Sequence, residues 1–477
     1  MADPSADPIP EPAAQVEPVA VLGPPGRAPR AGRGAATLAI VAAIAVAIVA
    51  AIWLVGRSTG PSNPPSAANL PIRIALYDPR TGLAVEDVAG HRTVLAAPPD
   101  TSFGFPAWSP DGSRVAVVSN GSAGPSISVF AVPAADTLGS SAPTPVVVYH
   151  NADSPPFYVY WTPDGRRVSF LATERDGISL RVAPADASAP LDGSGPGATI
   201  RRGAPLYFDW IDDAHLLVHV GSGASGFAGE VGADGSPSGA TLTSPGDFRS
   251  AVISADHATI AWVRGAVPAA AIVVAARDGS AEHTVPVFGP AAVVFDPTSS
   301  RVATIAAADA AAPPFPFPLG PLRLVDPATG AVRTLLDGRV VGFFWAPDGR
   351  TIAALRVEDA DGATEARLPI TLAAASSPAP SPAASPTAEV EIHLLFVDVE
   401  TGRVRSDRTV RPTSNFLNQF LPYFDQYALS HRLWARDSSA YLIPLVDGTG
   451  EGGLAVLTPD GGTATRTIPG VNGFWSP

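Results

Sequence analysis

Short apolar runs separated by polar turn residues recur along most of the chain. RVAVVS (114–119), RVSFLA (167–172) and TIAALR (351–356) each follow the same kind of phrase: Trp108-Ser-Pro-Asp-Gly, Trp161-Thr-Pro-Asp-Gly and Trp345-Ala-Pro-Asp-Gly. Apolar runs of this length, bounded by Pro, Asp and Gly, read as strands joined by tight turns. Degenerate copies of the phrase stand at Trp210, Ile253, Phe295 and Trp434, each before a further apolar run, and the chain closes on Trp475-Ser-Pro. Successive markers are 41 to 53 residues apart, except for one step of 89 that contains a Pro/Ala/Ser-rich insert. A strand–turn–strand unit repeated at about 40–50 residues is the signature of a radial array of small sheets.

A second phrase falls between the markers: Leu76-Tyr-Asp-Pro-Arg-Thr-Gly, Leu324-Val-Asp-Pro-Ala-Thr-Gly and Phe396-Val-Asp-Val-Glu-Thr-Gly. It predicts the outer hairpin of a blade, with Asp opening the turn and Gly supplying the positive φ. The fold expected is therefore an all-β β-propeller of four-stranded antiparallel blades. Eight markers give eight blades, with seven as the alternative. The last marker strand has nothing after it, and the hairpin at 72–97 has no marker before it. Pairing the two would close the ring with strands from both ends of the chain, a composite blade lacking one strand. Within the phrase, Trp supplies apolar area between blades and Asp accepts the amides of the turn. Asp111, Asp164 and Asp348 are thus turn residues rather than catalytic acids.

One run differs from all these. Thr37 to Val55 (TLAIVAAIAVAIVAAIWLV) is uncharged on every face, and as a helix it would reach roughly 28 Å, near the thickness of a bilayer core. Arg27, Arg30 and Arg33 precede it and Arg57 follows. The expectation is one transmembrane helix with a cytoplasmic N-terminus and an extracytoplasmic propeller, placing the protein in the cell membrane. A cleaved signal peptide is the rival reading. The domains expected are a disordered Pro/Ala-rich tail (1–36), the helix (37–55), a linker (56–70) and the propeller (71–477), with a low-complexity insert at 357–389.

The intact phrase resembles the repeat of TolB-type, WD40-like β-propellers. This resemblance covers residues 71–477. It implies the fold and leaves function open, because such wheels carry many unrelated activities.

Composition narrows the partners. The 477 residues carry a formal charge of −13, no Cys and no Lys. An acidic chain of this kind does not suit a nucleic-acid partner, and disulfides are excluded. No G-x-S-x-G elbow or H-E-x-x-H is present, so no catalytic residue and no metal ligand is assigned. His215 and His219 fall on one face of a strand-like run and read as a packed or surface pair. Asp359-Ala-Asp361-Gly, beside Glu358 and Glu365, is a fragment of a calcium-loop pattern without the full ligand series. No cofactor is expected, calcium being the one ion with even a partial pattern.

In a four-stranded meander the short Asp-Gly turns share one face of the wheel. The longer loops, including those leading into each marker strand, share the other. Aromatics gather in those loops. Phe315, Phe317, Phe416, Phe420, Tyr423, Phe424, Tyr427, Phe157 and Tyr158 are the candidate binding residues. The function expected is a non-catalytic binding or assembly module for a protein or envelope polymer. The alternatives are a hydrolase or lyase working in the central funnel, and a transmembrane sensor.

Overall fold

The computed structural model describes residues 72–477 except 98–100, 134–141, 190–196, 222–225, 243–250, 266–269, 308, 310–316, 360–389, 448–449 and 462–463. The described strands form antiparallel meanders. Four sheets have four strands, and a fifth is a meander whose inner strand is split into Ser102–Phe103 and Ala107–Trp108. The seven-stranded sheet is two blades sharing one long strand. Val332–Trp345 is the outer strand of one blade, and it runs on, through a register shift at Val340/Gly342, as the inner strand of the next. Counted this way there are eight blades, one per marker. We number them from the blade that contains both ends of the propeller.

Blade 1 is composite. Its inner strand, Asn472–Trp475, pairs antiparallel with Arg73–Asp78, Trp475 standing opposite Ile74. Gly82–Asp87 and Arg92–Ala96 complete it. This corrects the expectation of a missing strand. Because Arg73–Asp78 takes the second position, the turn opened by Asp78 joins the second and third strands. In blades 6 and 7 the same phrase joins the third and fourth. An Asp-x-x-Thr-Gly turn is set by local hydrogen bonds, here Asp78 Oδ1 accepting from the Arg80 amide at 2.9 Å. Its place in a blade is set by which strand its neighbour pairs with.

The marker phrase builds the turn that the sequence predicts. In blade 2, Ser109 Oγ donates to Asp111 Oδ1 at 2.6 Å and accepts from the Arg114 amide at 2.9 Å, and Asp111 Oδ1 accepts the Ser113 amide at 3.1 Å. Gly112, Gly165 and Gly349 take φ of 65°, 67° and 67°. At Ile253, Phe295 and Trp434 the degenerate markers keep this geometry without glycine: His257, Ser299 and Ser438 hold the same turn position at φ of 58°, 63° and 61°.

The marker tryptophans lie between blades, Trp345 part-buried and the others buried, and every marker indole N–H except that of Trp475 reaches back to the blade before it. Trp108 Nε1 donates to Phe474 O (3.0 Å), Trp161 to Ala107 O (2.9 Å) and Trp434 to Phe344 O (3.0 Å). Trp345 donates to Val294 O at 3.4 Å. Trp210 donates to Ser169 Oγ, which itself donates to Tyr160 O, so that a hydroxyl relays the same contact. An indole buried with its N–H satisfied joins large apolar area to a fixed position.

The membrane expectation is corrected. Residues 37–55 lie outside the described residues, and among the described residues no helix is long and apolar enough to cross a membrane. The one α-helix described, Phe424–Ser430, has seven residues, about 10 Å at 1.5 Å per residue, against the roughly 30 Å a span needs. A long apolar run satisfies a length criterion and no more. The single-pass anchor, its orientation and the extracytoplasmic location derived from it have no support in the structure and are not carried further.

Candidate functional site

Between blades 7 and 8 the chain leaves its meander and crosses the axis. After Thr413, a π-helical turn (Phe416–Phe420), a 3-10 turn (Leu421–Tyr423) and the short helix follow in succession. The helix packs against Pro156–Trp161, Leu206–Trp210, Ala292–Phe295 and Val332–Trp345, the inner strands of blades 3, 4, 6 and 7. An element that touches the inner strands of four blades stands at the hub. It is a plug.

Aromatic packing holds it there. Phe420 stacks on Tyr427 and on Phe474, with ring centroids 4.8 and 5.6 Å apart. Phe105 of blade 2 meets both Phe420 and Tyr427 edge-on. Phe424 lies against Phe343 and Phe344 of blade 7. The closest approach is at Gly342, where an added Cβ would come within 2.6 Å of Leu421 Cδ1. A side chain at 342 would therefore force the Leu421 side chain to shift.

Polar groups fix its register. The Gln426 amide pairs with both backbone groups of Phe208, Nε2 donating to the carbonyl at 2.8 Å and Oε1 accepting from the amide at 3.0 Å. It thereby satisfies an inner strand edge that would otherwise be bare at the hub. Gln426 Nε2 also donates to the Tyr158 hydroxyl (3.1 Å), which lies 2.8 Å from Ser430 Oγ. His431 Nδ1 is 2.7 Å from that same Ser430 oxygen, and Nε2 is 3.4 Å from Phe105 O. Burial pulls the His431 pKa down to about 3, so its imidazole is neutral at physiological pH. Next to the plug, Asp209 is buried beneath Tyr160 and Ile253, accepting from the Tyr160 hydroxyl at 3.3 Å and the Ile253 amide at 3.4 Å. Desolvation outweighs these bonds and raises its pKa to about 7.

The candidate binding residues separate into three groups. Phe416, Phe420, Phe424, Tyr427, Tyr158 and Phe317 are buried. Phe157 and Tyr423 remain exposed, at 44% and 39%, both at the loop face. Phe315 lies outside the described residues. Sequence reasoning placed 416–427 in a surface loop. The spacing of Phe416, Phe420, Phe424 and Tyr427 by four, four and three residues is a helical period, and it marks one buried face.

On the turn face, beyond the plug, a cavity of about 200 Å³ remains. Trp108, Trp161, Trp475 and Tyr160 wall it, and the end of the plug, Ser430 and Arg432, borders it. A larger space of about 670 Å³ is a groove at the outer edge of blades 3 and 4. Its Arg167 is already committed to the Asp213 carbonyl.

Among the described residues no group of three or more His, Cys, Asp or Glu is placed to hold a metal ion. His215 is held by Asp212 within its own turn, and His219 is buried one turn of the strand pattern away. The calcium-loop fragment lies outside the described residues beyond Asp359. The densest ionisable cluster, on the outer strands of blade 7, is His393 with Asp407 (2.8 Å), Glu358 and Glu391, and Arg356 pairs with two of these carboxylates.

No protein-family profile matches the chain. No curated protein matches it. Solved structures do. TolB from Acinetobacter baumannii is 18% identical over 57% of this chain and 67% of its own, with a TM-score of 0.34. AztD from Citrobacter koseri is 14% identical over 85% of this chain and 96% of its own, with a TM-score of 0.44. A prolyl endopeptidase is 13% identical over 78% of this chain and 49% of its own, with a TM-score of 0.46. At these values the likenesses add no argument of their own, and the fold rests on the strand pairing described above.

Proposed function

We propose that this propeller is a non-catalytic binding module that takes a protein ligand on its loop face. The observation that carries the reading is the plug. A funnel enzyme needs accessible acids, bases or nucleophiles converging on a space for substrate. Here Phe420, Phe424, Gln426 and Tyr427 fill that space with buried side chains, and the His431 imidazole is spent on Ser430 and Phe105. Support for the loop face comes from exposure. Of the large apolar side chains described as exposed, the two aromatics, Phe157 and Tyr423, both stand there, while Val88, Val332 and Val404 border turns of the opposite face. Exposed aromatics on a rigid scaffold are the usual anchors of protein interfaces.

The test compares the wild-type protein with a Phe157→Asp/Tyr423→Asp double variant in quantitative pull-downs, alongside assays of ester, lactone and glycoside hydrolysis. The reading expects a ligand retained by the wild type and lost by the variant. Hydrolysis at roughly 1 s⁻¹ or faster by the purified protein would overturn it.

A further inference from the structure

Blade 4 departs from its neighbours by one residue. In blades 2 and 3 the marker stands opposite the residue seven positions on, Val115 for Trp108 and Val168 for Trp161, and the markers of blades 5 to 8 keep that offset. Trp210 stands opposite Leu216, six positions on. The turn of blade 4 is therefore one residue shorter and covers less of the joint with blade 3. The groove of about 670 Å³ lies there, between the end of blade 3 and the two turns of blade 4 on the same face.

Its polar groups are unevenly matched. The one arginine in the wall, Arg167, is spent on the Asp213 carbonyl and the Trp210 ring. His215 is turned to Asp212, its Nδ1 lying 2.9 and 3.0 Å from the two carboxylate oxygens. Asp213 and Asp234 stand exposed in the groove. Asp213 Oδ1 accepts the Asp164 amide, and Asp234 Oδ1 accepts the amide and hydroxyl of Ser236. Among the described residues neither carboxylate has an ion pair, and the second oxygen of each takes no hydrogen bond. Val182, Pro184 and Ala198 of blade 3 face Ala214 and Ala233 of blade 4 across the rest of the groove. What remains is an apolar channel, open to solvent, whose unspent charges are both negative.

We propose that this groove docks an extended basic segment of a partner protein, with Lys or Arg side chains pairing with Asp213 and Asp234 and apolar neighbours lying on Val182, Pro184 and Ala198. Charge complementarity selects the occupant. The chain carries a formal charge of −13, which attracts a basic partner and repels a second copy of itself. The volume falls within the roughly 300–1,000 Å³ of ordinary ligand clefts. The groove belongs to the turn face, opposite Phe157 and Tyr423, so it stands or falls independently of the protein-binding surface proposed above.

The experiment titrates the full chain with a blocked, fluorescently labelled heptapeptide, Ala-Leu-Arg-Val-Arg-Leu-Ala, and with the same peptide carrying Gln or Glu in place of both Arg. Anisotropy and calorimetry report binding. The Arg peptide binds at one site per chain, at least about tenfold more tightly than the Gln peptide, and its affinity falls as salt is raised. Asp213→Asn/Asp234→Asn removes that tenfold advantage and leaves the Gln peptide unchanged. Ala214→Tyr obstructs the groove without altering its charge and weakens both peptides; it carries the test if the double variant does not fold. Phe157→Asp/Tyr423→Asp binds the Arg peptide as the wild type does, which separates this site from the loop face. Failure of the Arg peptide to bind, equal affinity for the Gln or Glu peptide, or affinity unchanged in the folded groove variants overturns the proposal. So does a wild-type dimer in sedimentation that the Asp213→Asn/Asp234→Asn variant dissociates, because it gives the groove to a second copy.

Discussion

Two kinds of joint hold neighbouring blades together. In joints 1–2 and 2–3 an arginine opens the second strand, lies over the next blade's marker tryptophan and donates to the glycine carbonyl of its turn. Arg73 serves Trp108 and Gly112 in this way, and Arg114 serves Trp161 and Gly165. In joints 5–6 and 7–8 the link is turn to turn. The Asp256 amide donates to Ser299 Oγ at 2.9 Å, and the Asp348 amide to Ser438 Oγ at 3.0 Å. Joint 3–4 uses both, since Arg167 stacks on Trp210 while the Asp164 amide donates to Asp213. Serine at the left-handed turn position therefore does something glycine cannot. It accepts a hydrogen bond from the neighbouring blade, at the cost of a φ that L-residues disfavour. At Phe295 and Trp434 the degenerate marker is an alternative joint rather than a worn copy of the first.

The strongest way to break this comparison is to remove the ring itself. Trp161→Ala loses buried area, the bond to Ala107 O and the Arg114 contact, and costs about 3–5 kcal/mol. Ile253→Ala, at the matching position of blade 5, costs about 2 kcal/mol. Urea denaturation of the two variants measures the gap.

The next test is at joint 4–5, where Asp209 bridges blades 3, 4 and 5 through Tyr160 and Ile253. Its folded pKa, about 7, lies above the ordinary 3.8. The contribution is fully present below pH 3.8 and is lost as pH rises through 7. His431 acts in the opposite sense. Its pKa falls from 6.5 to about 3, so its contribution is present above 6.5 and is lost as pH falls toward 3. The two slopes oppose each other between about pH 4 and 6.5. In Asp209→Asn the His431 slope stands alone, and stability rises with pH across that window by on the order of 2 kcal/mol. Unfolding midpoints at pH 4.5 and 6.5 test this, and a variant profile as flat as the wild type would rule it out.

Smaller effects sharpen the contrast. Arg114→Met removes the cation–π contact and the bond to Gly165 and costs about 1–2 kcal/mol. Thr259→Ala, at the equivalent strand position of blade 5, stays within about 0.5 kcal/mol. His257→Gly relieves a left-handed histidine and gains about 0.5–1 kcal/mol. Ser299→Gly relieves the same strain but loses the acceptor for Asp256, so its net change stays within about 0.5 kcal/mol. If both glycine variants are equally stabilised, the turn-to-turn bond contributes nothing.

The sequence made the wheel legible because each blade restates the same local chemistry. Trp, Pro, Asp and Gly at fixed offsets report a turn and a wedge, and both are local. The plug was not legible in that way. Phe416, Phe420, Phe424 and Tyr427 do carry a helical spacing, but Pro422 and three different helical geometries interrupt it, and nothing local says that the hub is vacant to receive it. The groove beside blade 4 left only a faint mark. Trp210 and His215 are five residues apart where Trp161 and Arg167 are six, and one residue missing from a degenerate turn does not announce the space it leaves.

Pairing Asn472–Trp475 with Arg73–Asp78 also imposes a timetable on synthesis. The ribosome releases Arg73–Asp78 long before its innermost neighbour exists, so this strand must wait with one edge bare while seven further blades emerge. Asn472–Trp475 then acts as the clasp of a bracelet.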